Sequence, residues 1–150
     1  MTTSLLNKML TSKAGAAALV LRVPVGLILA AHGAQKLFGW FGGNGLAGTA
    51  QWLSSMSMEP GYLMAILAGG AEFFGGLALV LGLLTRPAAL AAAFTMLVAI
   101  FSVHISNGLF ADNGGYEYAL TLMVASLALM IQGGGSFSID KMLSGKVEQI

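Results

Sequence analysis

Two charged residues interrupt long apolar stretches of this sequence, and they are the first indication of a functional site. Arg22 lies in the first stretch and Glu72 in the second. Placing either charge at the centre of a bilayer costs roughly 2.5–3.5 kcal/mol on insertion scales, so such residues face the interior of a helix bundle and have partners. The helical rise places both at similar depths. We therefore expect Arg22 and Glu72 to pair at the floor of a polar pocket, with a purely structural ion pair as the alternative.

A second group of ionisable residues is predicted at the other end of the same stretches. His32 and Lys36 end the first stretch, His104 closes the third, and Glu117 opens the fourth beside Tyr116. Histidine and carboxylate side chains exchange protons, whereas lysine and tyrosine donate hydrogen bonds. The predicted catalytic residues are His32, His104 and Glu117, and the predicted ligand-binding residues are Arg22, Lys36, Glu72 and Tyr116. For any one residue of this second group, an ordinary solvated side chain at a helix end is the alternative.

No metal site is predicted. His32, His104 and Glu117 have the donor types of a two-histidine, one-carboxylate set, and the two histidines could hold a haem. These residues come from separate segments, however, and carry no spacing signature. The chain contains no cysteine, so it has no thiolate nucleophile, iron–sulfur ligand or covalent haem attachment of its own. Any redox chemistry therefore needs a bound cofactor or a partner protein.

The composition indicates that these residues belong to a membrane protein. Apolar residues make up 57% of the 150 residues and charged residues only 9%, whereas an average soluble domain carries about 25% charged residues. So few charges could not cover the surface of a soluble protein, and hydrocarbon is the solvent that fits. The net charge of +1 argues against the basic face of a nucleic-acid-binding protein, so the predicted partner is the lipid bilayer.

Four apolar segments are long enough to span a membrane, since a spanning helix needs about 20 apolar residues. They cover about residues 14–35, 61–84, 87–106 and 116–132. The connection Thr85-Arg86-Pro87 is very short, which predicts an antiparallel hairpin of the second and third spans. The predicted fold is an all-α membrane protein, a four-transmembrane-helix bundle that forms a single domain over residues 1–150.

The segment between the first two spans, residues 37–59, is rich in glycine and makes a poor spanning helix. Leu46, Ala50 and Leu53 nevertheless fit one face of a helix. We predict a glycine-rich turn followed by a short amphipathic helix, which forms an interfacial or re-entrant segment of the bundle. An ordinary interfacial loop is the alternative.

Small residues share the faces of the charged residues on the first two predicted spans. At about 100° per residue, Gly15, Gly26 and Gly33 fall on the arc of Arg22. The residues around Glu72 are Ala65, Ala68, Gly69, Gly75 and Gly76. Because small residues let helices approach closely in lipid, we expect the charged faces to be the packing faces.

Basic residues near the span ends indicate the orientation of the chain. One side of a four-span arrangement holds Lys8, Lys13, Arg86, Lys141 and Lys146, and the other holds Lys36. We therefore predict that both termini face the cytoplasm and that the loops at 37–59 and 107–115 face outward. The N-terminus also resembles a signal peptide with a cleavage site at Ala30-Ala31, but Arg22 interrupts its apolar stretch, so an uncleaved first helix is predicted.

An ordered set of short motifs resembles the DoxX family of small four-helix bacterial inner-membrane proteins. The motifs cover roughly residues 15–143, and each is weak alone. They are Arg22-Val-Pro-Val-Gly26, His32-Gly-Ala-Gln-Lys36-Leu-Phe-Gly39 with Trp40-Phe-Gly-Gly43, Glu72-Phe-Phe-Gly-Gly76, Leu83-Leu-Thr-Arg-Pro87, His104, Gly114-Gly-Tyr-Glu117 and Gly133-Gly-Gly-Ser-Phe-Ser-Ile-Asp140.

The resemblance implies a quinone-linked redox role in the bacterial inner membrane, together with partner redox proteins, because the family name comes from membrane subunits linked to quinol oxidation and thiosulfate:quinone oxidoreduction. A polar pocket inside a lipid-facing bundle would suit a quinone, which has two carbonyls and an apolar tail. Lys36 or His32 would bind one carbonyl, and His104 and Glu117 would handle protons at the other. The alternatives are a transport protein for a small solute or protons, and a non-catalytic membrane scaffold or assembly partner.

Overall fold

The computed structural model describes residues 5–147, with side chains described as far as residue 145. The α-helices of this part are α1 (Leu5–Leu10), α2 (Ala17–Phe38), α3 (Gly45–Ser55), α4 (Gly61–Leu81), α5 (Thr85–Ala99), α6 (Glu117–Gln132) and α7 (Ile139–Val147). A π-helical turn, Ile100–His104, and a 3₁₀ turn, Ile105–Asn107, continue α5. We call the end of the bundle with residues 37–60 and 105–116 the loop end, and the end with residues 11–16, 82–86 and 133–140 the terminal end.

The predicted helical membrane bundle is confirmed. Among residues 5–147, three helices are long and apolar enough to cross a membrane: α2, α4 and the continuous helical run Thr85–Asn107. The fourth, α6, is apolar but shorter. Its 16 residues extend about 24 Å, less than the roughly 30 Å of a bilayer core. Pro87 lies in the first turn of α5, where its missing amide hydrogen costs no helical hydrogen bond.

Helices α2 and α4 pack against each other at glycine contacts, as the small residues on their charged faces predict. A Cβ atom on Gly33 would lie 2.3 Å from the backbone nitrogen of Phe73, and one on Gly76 would lie 2.5 Å from that of Ala30. Gly26 meets the carbonyl of Gly76 in the same way. Backbone therefore touches backbone along this interface, and no larger residue fits at these positions.

Apolar residues form the centre of the bundle and also much of its outer face. The largest buried cluster contains Val25, Leu29, Leu79, Ala89, Ala92, Met96, Ile100, Ala119, Leu122 and Leu129. On the outside, Val20 is 74% exposed, Phe74 is 65% exposed and Ile131 is 70% exposed. Exposed side chains of this size on several helices are typical of a surface that faces lipid.

Arg22 closes the terminal end of the bundle. Its Nε donates to the carbonyl of Gly134 at 3.1 Å, and Nη1 donates to that of Leu79 at 3.0 Å. The guanidinium also donates to the carbonyls of Val80 and Phe137. Because carbonyls at the end of a helix carry partial negative charge, the C-terminus of α4 and the segment after α6 together accommodate this buried cation.

The same end is held by a second set of buried polar contacts. The carboxylate of Asp140, which is 1% exposed, accepts from the amides of Leu84 at 2.7 Å and Thr85 at 2.8 Å. It thus satisfies free amides at the start of α5, where negative charge is favourable. Arg86 Nη1 donates to the carbonyls of Met130 and Ile131 at the end of α6. Sequence reasoning did not identify Asp140 as a buried residue.

The glycine-rich segment contains the predicted short amphipathic helix. After a 3₁₀ turn at Trp40–Gly42, α3 runs from Gly45 to Ser55 and buries Ala50 and Leu53 against Ala65 of α4, with Leu46 packed beside them. The turn needs glycine because Gly39, Gly42 and Gly45 all have φ near +70°, a region that other residues rarely adopt.

Candidate functional site

A cavity of about 290 Å³ lies inside the bundle towards the loop end. Most of its wall is apolar, with Leu29, Leu53, Met96 and Leu122 among the lining residues. The ionisable and hydroxyl side chains in the wall are His32, Lys36, Glu72, Thr95, Ser102, His104 and Tyr118. We call this space the inner cavity. A mainly apolar pocket with a few converging polar groups is the usual form of a small-molecule site.

An ion pair joins α2 and α4 at the wall of the inner cavity. Lys36 Nζ lies 2.5 Å from Glu72 Oε2. The Glu72 side chain is only 4% exposed, whereas the Lys36 side chain is 26% exposed. Among the described residues, Glu72 is the one hydrogen-bond acceptor recorded for this ammonium group. Since an ammonium has three N–H donors, two remain for a ligand or water.

The expected pairing of Arg22 with Glu72 is wrong, and the direction of helical side chains explains why. Every Cα–Cβ bond in a helix tilts towards the helix N-terminus. In the antiparallel pair α2 and α4, Arg22 therefore leans towards the terminal end, whereas Glu72 leans towards the loop end. Lys36 leans from the loop end back towards Glu72. Arg22 consequently lies outside the inner cavity and binds the carbonyls of Leu79 and Val80 instead.

His32 and Tyr118 bring α2 and α6 together at the cavity. Their ring centroids are 6.0 Å apart with an interplanar angle of 55°. Both residues are exposed in the isolated chain, so they lie where the inner cavity opens. Trp52 of α3 lines the same space and is 43% exposed. Ring faces and hydrogen-bonding groups therefore border the opening.

His104 reaches the inner cavity from the π-helical turn that follows α5. Its Nδ1 lies 2.7 Å from the carbonyl oxygen of Gly114, which can only accept a hydrogen bond, so Nδ1 carries the hydrogen. A neutral His104 would then present Nε2 as an acceptor. A π-helical turn shifts the side chains that follow it around the helix axis, and such turns are frequent at functional sites.

Besides Arg22, two predicted site residues lie outside the lining of the inner cavity, Glu117 and Tyr116. Glu117 Oε1 accepts from the amide of Ala111 at 2.7 Å, which fixes the loop that also contains Gly114. Tyr116 is partly buried and packs against the apolar core. The structure thus brings together His32, Lys36, Glu72 and His104, and it separates them from Arg22, Glu117 and Tyr116.

The lining includes polar residues that sequence reasoning did not assign to the site. Tyr118 is two residues beyond Tyr116 and therefore on a different face of α6, the face that also carries Ala119 and Leu122. That helical spacing could have indicated it. Ser102 lies within the π-helical turn, and no signal in a single sequence shows such a turn. Over residues 5–147, no group of three histidine or acidic side chains is arranged to hold a metal ion.

The chain belongs to the DoxX family, whose model matches residues 17–105. It is 37% identical over 110 residues to "Inner membrane protein YqjF" of Escherichia coli, and this alignment covers 72% of this chain and 82% of the relative. It is 32% identical over 111 residues to "Putative oxidoreductase CatD" of Bacillus subtilis, covering 74% of this chain and 76% of the relative. No solved structure matches the chain significantly. These relatives and the apolar helices support a bacterial inner membrane as its location.

Proposed function

We propose that the protein binds a quinone, or a similar small redox-active aromatic molecule, in the inner cavity and acts in a quinone-linked oxidoreductase system. The observation that carries this proposal is the ion pair of Lys36 with the buried Glu72, in the wall of a mainly apolar cavity that also holds two histidines. Its volume of about 290 Å³ is close to the lower limit of roughly 300 Å³ for ligand pockets. One relative is named an oxidoreductase, which agrees with a redox role.

Lys36 would bind one carbonyl oxygen of the ligand. Its ammonium keeps two N–H donors beyond the one that Glu72 accepts. Glu72 holds the charge of Lys36 inside the apolar wall, where an unpaired ammonium would be strongly disfavoured. His32 would be the second donor near the same carbonyl, and Tyr118 would place its ring against the ligand at the cavity opening.

His104 would exchange the proton at the other end of the ligand. With Nδ1–H donated to Gly114, Nε2 is the atom that can accept a proton from a ligand hydroxyl. Glu117 would act through this residue, because its carboxylate holds the loop that carries Gly114. Tyr116 would support the same loop end from the core. Arg22 would keep the terminal end closed and would not touch the ligand.

A bound quinone supplies chemistry with two electrons and two protons that no side chain here provides. The chain contains no cysteine, so the electrons would pass between the quinone and a partner redox protein. The residues of this chain bind the ligand, orient it and exchange protons with it. The Arg22 contacts that close the terminal end favour such a one-ended binding site over a transport path through the bundle.

The two tryptophans provide a direct test of ligand binding. Trp52 lines the inner cavity, whereas Trp40 does not and contacts Phe38 and Phe73 instead. A short-chain quinone bound in the cavity should quench the fluorescence of W40F, which keeps Trp52, with saturation. The same titration of W52F, which keeps Trp40, should show only weak linear quenching. Linear quenching in both variants, with no quinone retained on purification, would contradict the proposal.

A further inference from the structure

A second space adjoins the inner cavity at the loop end. It measures about 290 Å³ and is lined by Gln35, Lys36, Gly42, Gly43, Asn44, Thr49 and Trp52. Apart from Trp52, these residues carry amide, hydroxyl, ammonium or backbone groups. We call this space the vestibule. Lys36 and Trp52 line both spaces, so they form the partition between the vestibule, whose lining is of mixed polarity, and the mainly apolar inner cavity.

The vestibule is built by specific contacts between the glycine-rich turn and the end of α2. A Cβ atom on Gly43 would lie 2.4 Å from the Cα of Gln35, so only glycine lets the turn pack this closely. Gln35 Nε2 donates to the carbonyl of Phe41 at 3.3 Å, and Thr49 Oγ1 donates to the carbonyl of Lys36 at 3.2 Å. The turn and α3 are thereby fixed around the backbone of Lys36.

The vestibule has the size and polarity to hold water. A water molecule occupies about 30 Å³ in the liquid and needs two to four polar partners, and the vestibule offers room for several. The inner cavity has a mainly apolar wall and suits the ring of an organic ligand. The Lys36 ammonium, with two N–H donors left by Glu72, is the one charged group that borders both spaces among residues 5–145.

We propose that the vestibule is a water-filled entrance that connects the Lys36–Glu72 pair to the aqueous phase at the loop end, and that protons reach the ligand site through it. After the partner redox protein of the proposed function has passed electrons to the ligand, Lys36 gives a proton to a ligand oxygen in the inner cavity, and the Lys36 nitrogen becomes a neutral amine. Water in the vestibule then returns a proton to that nitrogen and restores the ammonium. The other ionisable groups facing the pair across the inner cavity are His32, His104 and Tyr118. The direction of this proton transfer rests on the proposed function, whereas water access to Lys36 does not.

The absence of cysteine from the chain allows a thiol to be placed at one chosen position. Three near-isosteric variants compare the compartments: T49C in the vestibule, S102C in the inner cavity, and S126C, which is 0% exposed and lines neither space. The protein is held in lipid nanodiscs, which expose both membrane faces. Although the Thr49 side chain is buried in the structure, at 5% exposure, we expect a charged, membrane-impermeant thiosulfonate to modify T49C, because a water-filled vestibule would bring the reagent to it. S102C should react faster with an apolar maleimide than with the charged thiosulfonate. S126C should react with neither reagent until the protein is denatured.

Blocking the vestibule tests whether it leads to Lys36. A bulky hydrophilic adduct on T49C should abolish the modification of Lys36 by a charged, amine-specific acetylating reagent, measured by peptide mass spectrometry. The same adduct on N113C, in the exposed loop 111–113, should leave it unchanged. The proposed vestibule would be overturned if T49C were as unreactive as S126C, or if the adduct on T49C left the acetylation of Lys36 unchanged. Saturable quinone quenching in W40F alongside that result would leave the proposed function standing. A reactive T49C without quinone binding would overturn the proposed function alone.

Discussion

Lys36 Nζ lies 2.5 Å from Glu72 Oε2, and this contact joins the last turns of α2 to the middle of α4. It places a cation and an anion in the wall of the inner cavity, while the buried cation Arg22 is held by backbone carbonyls at the opposite end of the bundle. The protein thus has one ion pair whose ammonium keeps N–H donors for a ligand or water, and one buried guanidinium that already donates to four backbone carbonyls.

The first prediction concerns the stability of the Lys36–Glu72 pair. Lys36→Met leaves the Glu72 carboxylate buried without its partner and should lower the free energy of unfolding by about 3–5 kcal/mol. Lys36→Met combined with Glu72→Leu removes both charges and should recover most of that loss. Thermal unfolding in detergent, followed by circular dichroism, gives the comparison. A double variant less stable than Lys36→Met alone would show that the pair is not the relevant interaction.

Arg22 should behave independently of Glu72. Arg22→Lys keeps the charge but loses the planar fork that serves several carbonyls at once, so it should cost roughly 2–5 kcal/mol of stability. Glu72 lies seven residues before Leu79, or about 10 Å along α4. The effects of Arg22→Lys and Glu72→Gln should therefore add within about 0.5 kcal/mol in the double variant. A coupling energy well above that value would show that Arg22 and Glu72 interact directly, as expected from the sequence.

Two glycines of α4, Gly76 and Gly70, provide a matched pair of variants that tests the α2–α4 interface. A Cβ atom on Gly76 would lie 2.5 Å from the backbone of α2, whereas one on Gly70 meets nothing within 4 Å. Gly76→Ala should therefore separate the helices and lower the stability by about 1–3 kcal/mol. Gly70→Ala should be neutral or stabilising by up to about 1 kcal/mol, because alanine is the better helix former. Equal unfolding temperatures for the two variants would argue against the close approach.

The orientation of the chain stays a prediction from its basic residues, and single cysteines test it. Asn113 lies in an exposed turn at the loop end, and Gly145 is exposed on α7 with open space around its Cα. In intact bacterial cells, N113C should react with an impermeant thiol reagent, because the loop end is predicted to face outward. G145C should react only after the cells are lysed. The reverse pattern would place both termini outside.

The sequence was sufficient to predict the architecture because lipid simplifies the problem. The length of each apolar stretch predicts a membrane span. The high free-energy cost of a charge in lipid requires Arg22 and Glu72 to face the interior of the bundle. Both residues are indeed buried. Four of the glycines on their faces, Gly26, Gly33, Gly69 and Gly76, form the α2–α4 interface, whereas Gly15 precedes α2 with open space around it and Gly75 faces Ala88 of α5. The short helix α3 was also predictable, since Ala50 and Leu53 share one face.

The partners of the buried charges were less accessible to sequence reasoning. Depth and the shared small-residue faces led to the pairing of Arg22 with Glu72, but the tilt of helical side chains towards the N-terminus separates them and brings Lys36 to Glu72. Two of the carbonyl partners of Arg22 belong to Gly134 and Phe137, more than a hundred residues away along the chain. The position of Ser102 depends on the π-helical turn, which is set by tertiary packing and has no signature in one sequence.

The most direct test of the central claim is the dissociation constant of a short-chain quinone for W40F, compared with W40F carrying Lys36→Met and Glu72→Leu. The double change removes the charged donor without leaving a buried unpaired charge. A hydrogen bond to a charged group contributes about 1.5–3 kcal/mol, so the dissociation constant should rise roughly 10- to 100-fold. W40F with Lys141→Met, which changes an exposed lysine on α7, should bind as W40F does. Equal affinity in all three proteins, or no saturable binding in any of them, would contradict a quinone site at Lys36.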